Sequence, residues 1–157
     1  MRYHRCIWII CYVWIFTFCI SCNSRELYHE FISFTSSGWK VDQSSRFVFT
    51  VTDTLSACNT FIEVRNSNDY IYRNLWLFVD FQTPDGFIRT DTLNCLLADE
   101  YGKWLGKGFS LFTNQFPYQL QYQFPHTGNY SWTIRHGIRE NELKGISDIG
   151  VRVVISD

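Results

Sequence analysis

Ser21-Cys22 closes an apolar run, and the chain turns polar at once with Asn23-Ser24-Arg25-Glu26. A cysteine after a small residue at the end of such a run has one well-defined chemistry. Its thiol takes a diacylglycerol as a thioether, and cleavage before it leaves that cysteine as a new N-terminus, which then carries palmitate-type acyl chains. What precedes Cys22 fits. Arg2 and Arg5 make a positive n-region with no acid, and Cys6 to Ile20 make an apolar h-region. That stretch of about 15 residues falls short of the roughly 20 that span a bilayer as a helix, so it reads as a signal peptide. An uncleaved anchor and an ordinary secreted signal are the competing readings. Lipidation at Cys22 is the expectation, with Ser21 as the small residue and Cys19 standing where Leu is commoner.

The remaining reactive residues form no constellation. Removal of the signal takes away Cys6, Cys11 and Cys19, leaving Cys58 and Cys95 as the thiols of the mature chain. No C-x-x-C spacing exists, so a zinc site has no support. Both cysteines share the parity of apolar neighbours, and two separate buried thiols are expected over a bridge, because a disulfide demands a narrow Cα spacing. His29, His126 and His136 pair with no second ligand at helical or strand spacing. His126 reads as a loop residue and His136 as a strand-end residue. Gly106-Lys107-Gly108 lacks the earlier glycine and the following Ser or Thr of a phosphate loop. No Ser sits in a G-x-S-x-G elbow. Asp80, Asp85, Asp91, Asp99 and Glu100 lack the spacing of a calcium loop and read as solvated turn acids. No catalytic residue, metal ligand or cofactor is expected. One segment could dock. In Tyr101-Gly102-Lys103-Trp104-Leu105-Gly106-Lys107-Gly108, three glycines frame a Trp between two lysines. Lys103, Trp104 and Lys107 are therefore the candidate partner-binding residues. The alternative is that Trp104 caps the end of the core.

The elements that must position these residues read as strands. Residues 47–52, 60–65 and 75–82 are β-branched and aromatic, the last apolar on both faces up to Asp80 as in a central strand. Thr83-Pro84-Asp85-Gly86 is a turn, and Phe87 onward returns as its hairpin partner. Tyr118, Leu120, Tyr122 and Phe124 alternate with Gln119, Gln121 and Gln123, predicting one apolar and one amide face. Tyr130, Trp132 and Ile134 alternate likewise, and Ile149 to Ile155 close the chain. With Leu27–Phe34 and Phe109–Thr113, about eight to nine strands result, an all-β antiparallel sandwich of jelly-roll type. Helix is allowed only in short pieces, for instance near Leu93–Glu100 or Arg139–Leu143. Trp76 and Trp132 are expected to be buried.

Composition agrees. Aromatic residues make up 18% of the 157-residue chain, which is too rich for disorder. A net charge of −1, becoming −3 in the 136 residues from Cys22 to Asp157, argues against nucleic acid and against charge-driven binding to anionic lipid. The expected organisation is a lipoprotein signal peptide over 1–21, a lipidated N-terminus with tether and first strand over 22–45, and the main body of one sandwich domain over 46–157.

The order and spacing of several segments carry a resemblance. They are Arg65-Asn66-Ser67-Asn68-Asp69-Tyr70, Asn74 to Val79, Asp91-Thr92-Leu93, Leu97-Ala98-Asp99, Gly102 to Gly108, Phe124-Pro125, Gly128-Asn129-Tyr130, and Gly145 to Arg152. Behind a lipobox, this succession resembles the gliding motility-associated lipoprotein GldH family over roughly residues 22–155. The resemblance implies a non-enzymatic lipoprotein of Bacteroidota-type envelopes, held on the periplasmic face of the outer membrane. It also implies protein partners in the gliding apparatus and the associated type IX secretion machinery, and no small-molecule substrate. Cys22 is the one functional residue that carries over. A lipid-anchored glycan- or ligand-binding sandwich is the alternative. Its discriminating feature would be two or more Trp or Tyr on one exposed face.

Overall fold

The computed structural model describes residues 26–156, so the signal peptide and Cys22 lie outside the described residues. Eleven strands are present and no helix among those residues: β1 (Glu26–Ser33), β2 (Trp39–Lys40), β3 (Ser45–Val51), β4 (Ala57–Ser67), β5 (Asn74–Gln82), β6 (Ile88–Leu96), β7 (Lys107–Gly108), β8 (Leu111–Gln123), β9 (Gly128–His136), β10 (Glu142–Leu143) and β11 (Ile146–Ile155). They form a five-stranded sheet in the order β1-β11-β4-β8-β7, a four-stranded sheet in the order β3-β9-β5-β6, and a short β10-β2 ribbon, with every pairing antiparallel. This is the expected all-β sandwich. The two allowed helices are absent: Leu93–Leu96 finishes β6, and Glu142–Leu143 is β10.

Period-two patterning drives the packing. In β3 the inward set is Ser45, Phe47, Phe49 and Val51, and in β5 it is Leu75, Leu77, Val79 and Phe81. Ile149, Val151 and Val153 of β11 face them from the other sheet. Burying such a side chain contributes about 1.5–3 kcal/mol relative to leaving it exposed. The aromatic surplus fills the centre. Phe81 lies 5.8 Å from Tyr130 and 5.7 Å from Trp132, centroid to centroid, and Phe124 lies 4.8 Å from Tyr130. The Tyr130 hydroxyl donates to the His126 carbonyl at 2.9 Å and accepts from the His126 N–H at 3.2 Å, which pins the loop before β9.

Three expectations need correction. Trp132 is fully buried, but Trp76 is 42% exposed. The pattern of β5 is a strict alternation with large apolar groups on both faces, and the outer face is open to solvent. The alternation over Tyr118–Phe124 is interrupted. Two register shifts against β4 leave Gln119 buried and Leu120 60% exposed, with Gln121 at φ 51° and its N–H donating to Asn59 Oδ1 at 2.8 Å. Bulges re-aim side chains in this way, and the glutamines gave no signal of where they fall. Finally, Asp80 and Asp91 are strand residues rather than turn acids. Asp80 pairs with Arg135 at 3.1 Å, and Asp91 accepts from Arg89 Nε at 2.9 Å and from the Tyr118 hydroxyl at 2.6 Å.

Cys58 and Cys95 are both free and buried, one in each sheet. Burial raises both thiols above their ordinary value. Alkylation should therefore label neither in the native protein and both in denaturant, and reductant should leave the melting temperature unchanged. Unfolded protein that takes no label before reduction would contradict this.

Candidate functional site

The strands run end to end through the sandwich, so its loops gather at two poles. One pole holds the start of β1, the end of β11, the 52–56 connection and the 83–87 turn. The other holds the 97–110 segment with the candidate docking residues.

The 97–110 segment is a locked hairpin. The Asp99 carboxylate accepts from the N–H groups of Tyr101 and Lys103, each at 2.9 Å, and Gly102 sits at φ +80° in the turn they define. Leu97 and Ala98 donate to the Arg73 carbonyl, and Arg73 Nε returns a bond to Ala98 O at 3.2 Å. Ala98 bridges to Trp104, and the Leu105 N–H bonds to Leu97 O at 2.9 Å. Gly106 is required by contact, because a Cβ there would lie 2.8 Å from the Asn114 amide, which bonds Asn66 inside the core.

This frame holds Trp104 half-buried against the core. Its ring lies 5.9 Å from Phe112 and 6.4 Å from Tyr70, and its indole N–H donates to Asn68 Oδ1 at 2.9 Å. Lys103 and Lys107 are exposed on either side, and an open groove of about 450 Å³ runs beside Lys107 and Leu105. The hairpin thus brings the three candidate residues to one pole. Sequence reasoning missed the more exposed apolar residues there: Phe109 at 95%, Tyr101 at 88% and Ile71 at 82%. For Tyr101 and Phe109 the adjacent glycines, Gly102 and Gly108, were the available signal; Ile71, between Tyr70 and Tyr72, had none. Trp104→Ala should destabilise the domain by about 1–3 kcal/mol, less than truncation of a fully buried aromatic, since one edge of the ring is already solvated and the loss includes one hydrogen bond. A urea midpoint checks this.

A second group was missed altogether. On the outer face of the four-stranded sheet, Trp76 and Phe78 stand exposed two residues apart on β5. A Cβ at Gly137 would come within 3.0 Å of the Phe78 ring and 3.3 Å of Trp76 Cβ. The Asn74 amide donates to Asn94 Oδ1 at 2.8 Å alongside, and the Arg135 guanidinium lies 6.0 Å from the Phe78 centroid.

Among the described residues, no three His, Cys, Asp or Glu side chains converge as metal ligands. His29 Nε2 lies 2.7 Å from the buried Glu63 carboxylate on the outer face of the five-stranded sheet. His136 is buried, with its ring edge-on to Trp39 at 5.2 Å and neither ring nitrogen hydrogen-bonded. Burial depresses its proton affinity below the ordinary value of 6.5. Below that pH the unfolded chain binds a proton that the folded one refuses, so stability should fall as pH drops from 6.5 toward the lowered folded value, by up to about 1.4 kcal/mol per pH unit. Denaturation of His136→Phe over the same range should show the slope reduced by that amount.

Comparison with known proteins gives consistent matches. The family model described as GldH lipoprotein matches residues 26–153. A gliding motility lipoprotein GldH homolog of Christiangramia forsetii is 32% identical over 156 residues, covering 93% of this chain and 95% of the relative. The gliding motility lipoprotein GldH of Flavobacterium johnsoniae is 31% identical over 145 residues, covering 87% of this chain and 89% of the relative. Among solved structures, the enzymatically active domain of bacteriophage CBA120 tailspike protein 4 aligns with a TM-score of 0.31 and 9% identity. That alignment covers 81% of this chain but 17% of the tailspike, too remote to carry an argument.

Proposed function

The chain belongs to the GldH lipoprotein family, and from that premise we propose that it is a non-enzymatic outer-membrane lipoprotein of the gliding and type IX secretion-associated machinery. Lipidated at Cys22, it faces the periplasm. The observation that carries this reading is the juxtaposition in one chain of a lipobox ending at Cys22 and a family match beginning at residue 26. The signal over 1–21 delivers the chain, the few residues after Cys22 tether it, and the sandwich is the working part. The pole bearing Lys103, Trp104 and Lys107 docks a protein partner. A rigid aromatic between two flexible cations suits that role, because the ring buries area at little entropic cost.

The test is pull-down of the lipidated protein from native envelopes, comparing wild type with Lys103→Ala/Lys107→Ala. The double variant should retain the fold and lose the partner. Wild-type recovery with no specific partner, together with unimpaired secretion and gliding in a deletion strain, would overturn the reading.

One observation favours a second reading, a glycan-binding module. Trp76 and Phe78 share an exposed face, packed closely over Gly137, with the Asn74 and Asn94 amides beside them. Stacking on sugar rings needs such a surface. Binding on a glycan array that is lost in Trp76→Ala would support it.

A further inference from the structure

We propose that the pole of the sandwich at which β1 begins is seated in the lipid bilayer, with Leu55 and Leu27 entering the acyl boundary, so that the domain stands upright with the Trp104 pole pointing away from the membrane. The proposal rests on the reading of Cys22 as the lipid-bearing residue.

The leash sets the geometry. Only Asn23, Ser24 and Arg25 separate Cys22 from Glu26, the first residue of β1. Four residue steps span at most about 14 Å when fully extended. A domain held by Cys22 therefore keeps this pole against the headgroups. Both poles carry exposed apolar side chains; the short leash is what distinguishes them.

The surface brought to the bilayer suits it. Leu55 is 85% exposed at the tip of the 52–56 connection. It is presented rigidly, because the Asp53 carboxylate accepts from the Leu55 N–H at 2.8 Å and from the Ser56 hydroxyl at 2.5 Å. Leu27 is 45% exposed at the start of β1, and Phe87 and Ile88 are exposed at the 83–87 turn. Between the sheets at this pole lies a groove of about 190 Å³, walled by Phe49, Val51, Cys58, Phe124 and Ile155 with Leu27 at its mouth. Its polar groups, Thr50, Thr52, Asp53 and Ser56, sit toward the connecting loop. Asp53 and Asp85 stay ionised on their turns, each carboxyl held below its usual range first by a side-chain hydrogen bond, from Ser56 and Thr83 respectively. They therefore belong at headgroup level and limit entry to the leucine tips. Contact of this kind follows apolar area and needs no basic patch.

The opposite pole is remote. The eleven residues of β4 run from the anchored pole toward the 97–110 segment, and at about 3.3 Å per residue they put more than 30 Å between the two.

The test uses the full-length lipoprotein in phosphatidylcholine vesicles. Leu55→Cys and Phe109→Cys are labelled separately with an environment-sensitive fluorophore, while the buried Cys58 and Cys95 stay unlabelled. Shallow doxyl-labelled phosphatidylcholine should quench the Leu55 position several-fold more than the Phe109 position, with a blue shift at Leu55 alone. Equal quenching at the two positions, or a solvent-like signal at Leu55, in protein whose N-terminal peptide carries lipid by mass spectrometry would overturn the seating and leave the anchor reading intact. An unmodified Cys22 in the same peptide would overturn both.

Discussion

Gly145→Ala should destabilise the domain by about 3–5 kcal/mol, whereas Gly86→Ala should cost about 1 kcal/mol. Both glycines lie in the left-handed region, at φ +83° and +88°, where an L side chain carries strain of about 1–2 kcal/mol. They differ in what surrounds them. A Cβ on Gly86 meets nothing within 4 Å, while one on Gly145 would lie 2.1 Å from the Tyr70 nitrogen and 2.4 Å from its Cα. Backbone cannot rotate aside as a side-chain tip can, so overpacking adds to the strain. Retreat of the 144–145 turn would also break the bond from the Ser67 N–H to the Gly145 carbonyl, now 2.8 Å. The Tyr70 ring packs beside that of Trp104, 6.4 Å between centroids. The variant should therefore weaken partner capture as well as stability, while Gly86→Ala leaves capture untouched. Thermal and urea melts of the two variants side by side decide it. Equal midpoints would show that the close approach at Tyr70 is not maintained in solution.

The same glycine shows what was legible in the sequence. Gly145 and Gly150 both fall in the Gly145–Arg152 segment that carries the family resemblance, and each has a contact reason no local pattern states. Gly150 leaves room for the Phe31 ring, which a Cβ would approach to 2.7 Å and over which the Arg65 guanidinium lies at 3.7 Å. The strands themselves were readable, because alternation and turn chemistry are local: Thr83–Gly86 closes the β5–β6 hairpin with Gly86 N–H to Thr83 O at 3.0 Å. The pairing order was not, since β1 lies beside β11 and β4 beside both β11 and β8. Phe109–Thr113 and Tyr118–Phe124, expected as two strands, belong largely to one thirteen-residue β8 that carries Pro117 and the bulges. The candidate site was legible as a segment, since the glycines framing Trp104 are local. How far the ring is covered depends on Phe112 and on Asn68 and Tyr70, of which the last two lie more than thirty residues away in sequence. Trp76 and Phe78 were misread for a related reason: a strand apolar on both faces says that two surfaces exist, not that both are covered.

Cys22→Ala should abolish membrane attachment without touching the fold. Each acyl CH₂ contributes about 0.8 kcal/mol, a single myristoyl chain gives a reversible association constant of only about 10⁴ M⁻¹, and stable anchoring needs a second chain. A lipidated Cys22 meets that requirement, and the alanine variant, exported behind an ordinary cleaved secretory signal in place of residues 1–21 so that the apolar run 6–20 is removed, retains none of it. The variant keeps the leucine tips of the anchored pole, and fully burying such a side chain is worth about 1.5–3 kcal/mol. That sum is comparable to the lost freedom of association, about 4 kcal/mol or more, so no stable binding remains. Wild type should float with vesicles and take up radioactive fatty acid in cells, and the variant should do neither. Label retained in the variant would exclude Cys22 as the acceptor. It would not point to Cys58 or Cys95, which are buried and free. Position 22 precedes the first strand residue, Glu26, and the melting temperature of the variant should equal that of wild type. Gly145→Ala should lower the melting temperature and keep the label. The two substitutions therefore separate anchoring from folding in the same pair of assays, and loss of gliding or secretion in Cys22→Ala alone would assign that loss to tethering rather than to a damaged domain.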